Sequence, residues 1–336
     1  MDLSPYPNED YRVGWIFDGP VPGAAAISTL KENWHHPQKR PRGDMNQYCM
    51  GTIGDHKVVT AMSLDGPLSV ATLISDTLVA FPNLRVILLV GVASGMPNYE
   101  DHPTRDIRLG DVVVGVPSDA SNGGVKVYAS PNGRDVEEIR SLDRPPMSLL
   151  TGLNRVQSAS DQDPGSKVKA AIDHVLERYP HLGVGHDGGD SWIRPDASTD
   201  RLYRADFQHI DGSSQPCSNC AESKEVPRDP RLSDKPVVHR GTIASYGWKL
   251  ESPVVRDKLR DLHGALCCAT EAWQLRRSFP GIVIQGIAEY GDSHANTKWR
   301  GYAAGAAAGL AKELLLATPA ADLEREKLAA DRWFTR

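Results

Sequence analysis

The chain has 336 residues, 40% of them hydrophobic and 24% charged, with a formal net charge of −5. That length suffices for one large core. The mildly acidic balance leaves no basic field to hold nucleic acid by counterion release, and no run approaches the roughly 18 apolar residues of a membrane span. Five cysteines (Cys49, Cys217, Cys220, Cys267 and Cys268) form an odd, sparse set, which argues against a disulfide framework; with no basic-then-apolar leader at the start, a cytoplasmic protein is the expectation.

Residues 1–10 are polar and proline-bearing and read as a short tail. From Tyr11 the pattern is strand-like, with Val13, Trp15 and Phe17 alternating before a turn at Asp18-Gly19-Pro20. Ala24 to Leu30 reads as a helix start, residues 35–47 as a loop, His56 to Ala61 as a short β-branched run, and Leu68 to Ala80 as a helix. Arg85 to Val92 is almost continuously apolar, which a strand buried on both faces requires, and it runs into Ala93-Ser94-Gly95-Met96-Pro97. Asp111 to Val116, Thr242 to Ser245 and Gly281 to Ile287 are further strands. Lys167 to Tyr179 is a helix stopped by Pro180, and Tyr302 to Leu316 a long alanine-rich one suited to close packing. Residues 183–236, rich in Gly, Asp, Ser and Pro, look like a long excursion with little core, and 317–336 like a charged tail. Apolar strands alternating with helices predict a sheet covered by helices on both faces, in one domain over residues 11–316.

Ligands of such sheets bind beyond the carboxyl ends of the strands, which singles out three strand ends. Gly91, Ser94 and Gly95 allow close backbone approach to an anion or a sugar, or simply form a tight turn. In Cys267-Cys268-Ala269-Thr270-Glu271, the carboxylate within an apolar run needs a partner. A vicinal diol is one candidate, a cation or backbone N–H at a helix start another. Glu289 and Asp292, in Glu289-Tyr290-Gly291-Asp292-Ser293-His294, could donate a proton to a leaving heterocycle, or Asp292 could cap the next helix. Cys217 and Cys220 have metal-ligand spacing. A structural zinc needs four ligands and there is no second cysteine pair, so, although His186 and His209 could contribute, a redox-inert loop pair and no metal are expected. His35, His36 and His239 read as surface residues.

These segments in this order resemble the nucleoside phosphorylase superfamily, especially its fungal domains, over about residues 11–316. The carriers are Val13-Gly14-Trp15-Ile16, Val90 to Pro97, Asp106 to Val114, Arg144-Pro145-Pro146, Asp200 to Tyr203, Cys217 to Cys220, His239 to Ser245, and Gly286 to His294 with Tyr302-Ala303-Ala304. The resemblance implies a three-layer α/β/α sandwich around a central mixed sheet, homo-oligomeric assembly and a small nucleoside-like substrate. No cofactor is implied beyond inorganic phosphate as a possible co-substrate, and no nucleic acid or membrane partner. It implies attack at the anomeric carbon while the enzyme protonates the departing base. Glu271 matches the ribose-binding glutamate and Thr270 stands where methionine is usual. Glu289 takes the place of the acid aspartate, Ser94 and Gly95 lie in the phosphate or nucleophile loop with Gly91 just before, and Trp248 and Lys249 fall near the base.

Against that pattern, Pro22 stands where hydrolytic members carry a water-positioning glutamate, so phosphorolysis is expected over hydrolysis. No anion-binding arginine is matched, although Arg85, Arg105 and Arg108 lie nearby in sequence. These departures leave two other expectations open: an enzyme recruited to another small molecule, or a module that binds a nucleoside without turning it over.

Overall fold

In a computed structural model, the described residues are 3–62, 70–98, 106–117, 123–130, 135–158, 163–184, 190–209, 217, 220–294 and 297–335. Eleven strands form one mixed sheet: β1 (Val13–Ile16), β2 (Asn33–Trp34), β3 (Gln47–Ile53), β4 (His56–Met62), β5 (Val86–Gly95), β6 (Val112–Gly115), β7 (Val125–Ala129), β8 (Glu137–Ser141), β9 (Val238–Tyr246), β10 (Ala265–Ala269) and β11 (Gly281–Glu289). Their order is β2-β3-β4-β1-β5-β11-β6-β9-β7-β8. β10 lies off this path and pairs with both β5 and β9, so β5, β11, β6, β9 and β10 close into a ring. β5 runs parallel to β1 and β11 at the centre, where Val86 to Leu89 are fully buried.

Eight α-helices cover the sheet: α1 (Pro20–Thr29), α2 (Val70–Ala80), α3 (Met147–Ser158), α4 (Pro164–Arg178), α5 (Pro253–His263), α6 (Arg300–Leu316), α7 (Ala320–Glu324) and α8 (Ala329–Trp333). α6 packs across β5, β6 and β11 with α1, α3 and α4 around it, while α2 lies on β1 and β4 with α8 against it and α5 packs on β10. The alanine and glycine content of α6 has a direct cause: a Cβ on Gly286 of β11 would collide with the carbonyl oxygen of Ala303, so helix and strand backbones touch.

The long apolar strands and α4 and α6 fall where the sequence puts them. α1 starts earlier, at Pro20, because proline fits the first turn of a helix. Leu68 lies outside the described residues. Residues 3–10 are not a loose tail: Asn8 is buried and donates to Lys39 O and Ala80 O, each at 2.8 Å. Neither is 317–336, where Leu323, Ala329 and Trp333 are fully buried and Trp333 Nε1 donates to Ser75 Oγ at 2.9 Å. The excursion also reaches the core, through Trp192, Leu202 and Tyr203.

Candidate functional site

β5 and β11 run side by side until Ile287↔Ala93, and then the register shifts so that Glu289 pairs with Ser94. That bulge at Ala288 re-aims the last side chain of the strand. Ser94 Oγ donates to Glu289 Oε1 at 2.8 Å, and Lys249 Nζ lies 3.0 Å from Glu289 Oε2. Both residues, with Val92, Thr270 and Cys268, line a cavity of about 340 Å³ where β10 seals the end of β5. Arg300 also borders it, but its guanidinium is held by Asp190 through two bonds of 2.7 Å.

A second polar centre adjoins this cavity. β10 ends at Ala269 and the chain enters a 3-10 turn, Glu271–Gln274, that folds the Glu271 side chain back over β5. Its Oε1 lies so close over Gly91 that a Cβ there would collide with it. Thr270 Oγ1 donates to Oε2 at 3.4 Å. Gln285, fully buried and paired with Gly91 across the ladder, lies beside the carboxylate, yet neither of its amide atoms completes an aligned hydrogen bond. No cation pairs with Glu271 among the described residues. Burial accordingly pushes its carboxyl up to about 7, against the smaller opposing pull of its own backbone N–H and of Gln285. Asp18 adds to that shift through its charge. β1 and β5 pair as far as Ile16↔Leu89, and continuing the register by two residues sets Asp18 level with Gly91. Desolvation raises the carboxyl of Asp18 as well. The Glu271 and Glu289 charges both act on the buried Cys268 thiol and, after desolvation, help push it to about 12.

No family model matches the chain. A nucleotide-binding leucine-rich repeat (NLR)-like protein of Hyaloscypha variabilis is 32% identical over 311 residues, which cover 91% of this chain; the chain spans only 29% of that relative's length. The solved 5′-methylthioadenosine/S-adenosylhomocysteine nucleosidase from S. pneumoniae matches with a TM-score of 0.52 at 14% identity, covering 92% of this chain and 100% of that one. The chain has the nucleoside phosphorylase fold.

On this fold the sequence-derived residues separate into groups. Ser94, Thr270, Glu289 and Lys249 come together at the cavity, and Glu271, buried against Gly91, follows the lining residue Thr270 without itself lining the cavity. Gly91, Ser94 and Gly95 do not form a phosphate loop. They lie within β5, Gly91 mid-strand and Ser94 and Gly95 at its end, and they pair with Gln285, Cys268 and Cys267 across the ladder. Gly95 is bare because Ile287 and Ile107 crowd it. Asp292 is not at the cavity: it is buried, 3.5 Å from Arg256 Nη1, and accepts from the His294 N–H at 2.8 Å, so it braces its own turn. Trp248 is 61% exposed, packed edge-on to Tyr246 and outside the cavity wall. Pro22 is buried in the first turn of α1.

The arginines also lie elsewhere. Arg85 donates to Glu326 O, and Arg108 is held by Asp106 and Asp229 O; Arg105 lies outside the described residues. His239 is a buried residue and not a surface one. Its Nε2 bonds Asp111 at 3.0 Å beside Arg231, which ties the end of the excursion to the start of β6 and, despite burial, holds the Asp111 carboxyl below its usual range. His35 and His36 are exposed. The cysteine pair is joined by a histidine: side-chain ligand atoms of His209, Cys217 and Cys220 all lie within 4.8 Å of one another. His186 lies outside the described residues. Sequence reasoning passed over Asp18 and Gln285. For Asp18 the signal was the one that marked Glu289, a carboxylate directly after a buried strand; a buried glutamine inside an apolar strand was the signal for Gln285.

Proposed function

We propose that this site binds a nucleoside-like molecule and cleaves its N-ribosyl bond with water as the nucleophile. One observation carries the proposal: Glu271 is a buried carboxylate with no cationic partner among the described residues, lying beside the orphaned amide of Gln285 over a bare glycine. A pair of vicinal hydroxyls adds strong donors to a carboxylate that has no cation and only the long Thr270 bond and its own backbone N–H among the described residues, because buried polar groups require partners. With the sugar on Glu271, the heterocycle lies toward the Lys249–Glu289 pair, whose 3.0 Å contact sets an N–H donor where a departing base would need a proton.

Water is favoured over phosphate by what surrounds the pocket. Neither Arg85 nor Arg108 faces it, Ser94 is engaged by Glu289, and the Gly91 to Gly95 segment is committed to the sheet. With Pro22 unable to act as a base, Asp18, two residues beyond β1 and near enough for its charge to act on Glu271, is our candidate to activate water. The name of the S. pneumoniae nucleosidase makes purine thionucleosides the first substrates to try.

The test is a nucleoside panel, including 5′-methylthioadenosine, incubated with and without phosphate and followed by release of free base. Release independent of phosphate supports the reading; release only with phosphate, giving the sugar 1-phosphate, overturns the assignment of water. Asp18→Asn should lower kcat roughly a hundredfold or more with no loss of melting temperature, and a wild-type rate in that variant removes Asp18 from the chemistry.

A second reading, a module that binds the nucleoside without cleaving it, is favoured by the NLR-like relative, of which this chain matches only a part. Thermal stabilisation by nucleosides with no base released supports that reading. Assembly as a homo-oligomer remains part of the proposal and is read by light scattering.

A further inference from the structure

The excursion between α4 and β9 carries a second cluster, on the far side of the 290–294 turn from the cavity. Cys217 and Cys220 sit in a turn closed by the Cys220 N–H donating to Cys217 O at 3.2 Å. Arg201 clamps that turn from below, donating to Cys217 O at 2.9 Å and Cys220 O at 3.2 Å, and is itself paired with Glu225. His209 comes from eight residues earlier in the chain. Its backbone N–H donates to Ser293 Oγ at 2.9 Å, which brings it over the end of the turn after β11.

An independent observation lies on that turn. The side chain of His294 is only 2% exposed, and neither ring nitrogen completes a hydrogen bond. The ring is stacked on Tyr203 with centroids 4.0 Å apart, flanked by Phe207, and lies 5.3 Å from the His209 ring in an edge-on contact. The neighbouring Asp292 is close enough for its charge to act on Cys217. Asp292 Oδ1 stands 3.6 Å from Nδ1, beyond hydrogen-bond reach, and a buried imidazole with no aligned hydrogen bond at either nitrogen is costly unless something coordinates it.

We propose that His209, Cys217, Cys220 and His294 bind one zinc ion in a tetrahedral Cys2His2 site. Two thiolates and two imidazoles are the donor set that selects zinc over hard cations, and the C-x2-C spacing fits. On binding, each cysteine gives up its proton as its sulfur bonds the metal, so two protons are released per ion and no electron moves. Zinc–sulfur bonds of about 2.3 Å and zinc–nitrogen bonds of about 2.0 Å require His209, Cys217 and Cys220, whose ligand atoms lie within 4.8 Å of one another, to draw together, and His294, whose ring is 5.3 Å from that of His209, to swing in as the fourth ligand. The ion staples the excursion to the turn that follows Glu289, and so fixes the outer wall of the strand end on which the cavity is built. The sequence argument against a metal was the missing second cysteine pair; two histidines, one of them 74 residues beyond Cys220 in the chain, take its place.

The experiment uses the full chain without an affinity tag, purified without chelator. Elemental analysis should find about one zinc per chain, and the cobalt-exchanged protein should show the intense visible bands and thiolate charge-transfer absorption of a tetrahedral site. Cys217→Ser and Cys220→Ser should each weaken metal retention by roughly tenfold or more, whereas His181→Ala, at an exposed histidine, should retain wild-type zinc. His294→Ala should bind cobalt with a changed spectrum, as water replaces the fourth ligand. Wild-type protein that takes up no stoichiometric zinc or cobalt, or that carries a Cys217–Cys220 disulfide by mass spectrometry, overturns the site. An unchanged cobalt spectrum in His294→Ala overturns the assignment of the fourth ligand.

Discussion

Burial pushes the Glu271 carboxyl up to about 7 because the sheet around it offers little to stabilise a charge, and the unfolded chain releases that proton near the ordinary value of 4.5. Between these values the folded state binds one proton more than the unfolded state, so stability falls as pH rises through the window and levels off above it. A gap of that size corresponds to about 3 kcal/mol. Glu271→Gln removes the ionisation and should flatten this part of the profile, leaving the variant more stable than wild type at pH 8 and little changed at pH 4.5. Urea denaturation across that range reads it. Asp18 shifts in the same direction, and Asp111, held low, contributes stability that is lost only at more acid pH, so the difference between wild type and variant isolates Glu271. Parallel profiles in the two proteins would mean that the carboxylate is charged throughout. The residue type at 271 was legible from the sequence as an anomaly in an apolar run. Its bed was not, because Gly91 and Gln285 come from strands 180 and 14 residues away along the chain.

At the scale of elements, legibility followed burial. β5 and β11 are buried on both faces and announce themselves as apolar runs, and α6 announces itself by small residues. β10, a five-residue strand ending at Ala269, reads equally well as the approach to a helix, and only its pairing with β5 and β9 identifies it. α5 carried its signals openly, Ser252 capping the N–H of Val255 and Gly264 left-handed at the other end, but its exposed Val254 and Leu262 blur the apolar face. The contact between β11 and α6 is the least forgiving of these elements. Gly286→Ala forces a methyl group onto the Ala303 carbonyl, where neither backbone yields cheaply. A loss of about 3 kcal/mol, at the upper end for an overpacked core, is expected in the urea midpoint. A neutral result would mean that α6 stands further from the sheet.

Over the whole molecule, both ends of the chain are fastened to the central layer. Trp333, fully buried, closes the space over α2, takes Arg276 across its ring at 5.2 Å and bonds Ser75, while the Ala329 N–H donates to Leu84 O at 2.8 Å just before β5. The last helix therefore braces the strand that carries Gly91 and Ser94. Trp333→Ala should cost about 3–5 kcal/mol, seen as a lower melting temperature. An effect below 1 kcal/mol would show the C-terminal segment to be dispensable. The excursion does the same from the other side, through Trp192 against Gly305 and through the Asp111, Arg231 and His239 cluster. Segments that composition marks as loop or tail thus complete the core, because their few aromatic residues fill gaps left between the helices.

What the sequence by itself determined was the layered fold and the isolated polar residues that interrupt single strands. Continuous apolar runs can be satisfied only by a covered sheet, and isolated polar residues within them stand out locally. What only the tertiary structure decided was which of those residues meet. The ring closed by β10, the bulge at Ala288 and the approach of His209 to the cysteine pair and to His294 all join parts of the chain far apart in order, and no local periodicity encodes a distance between strands.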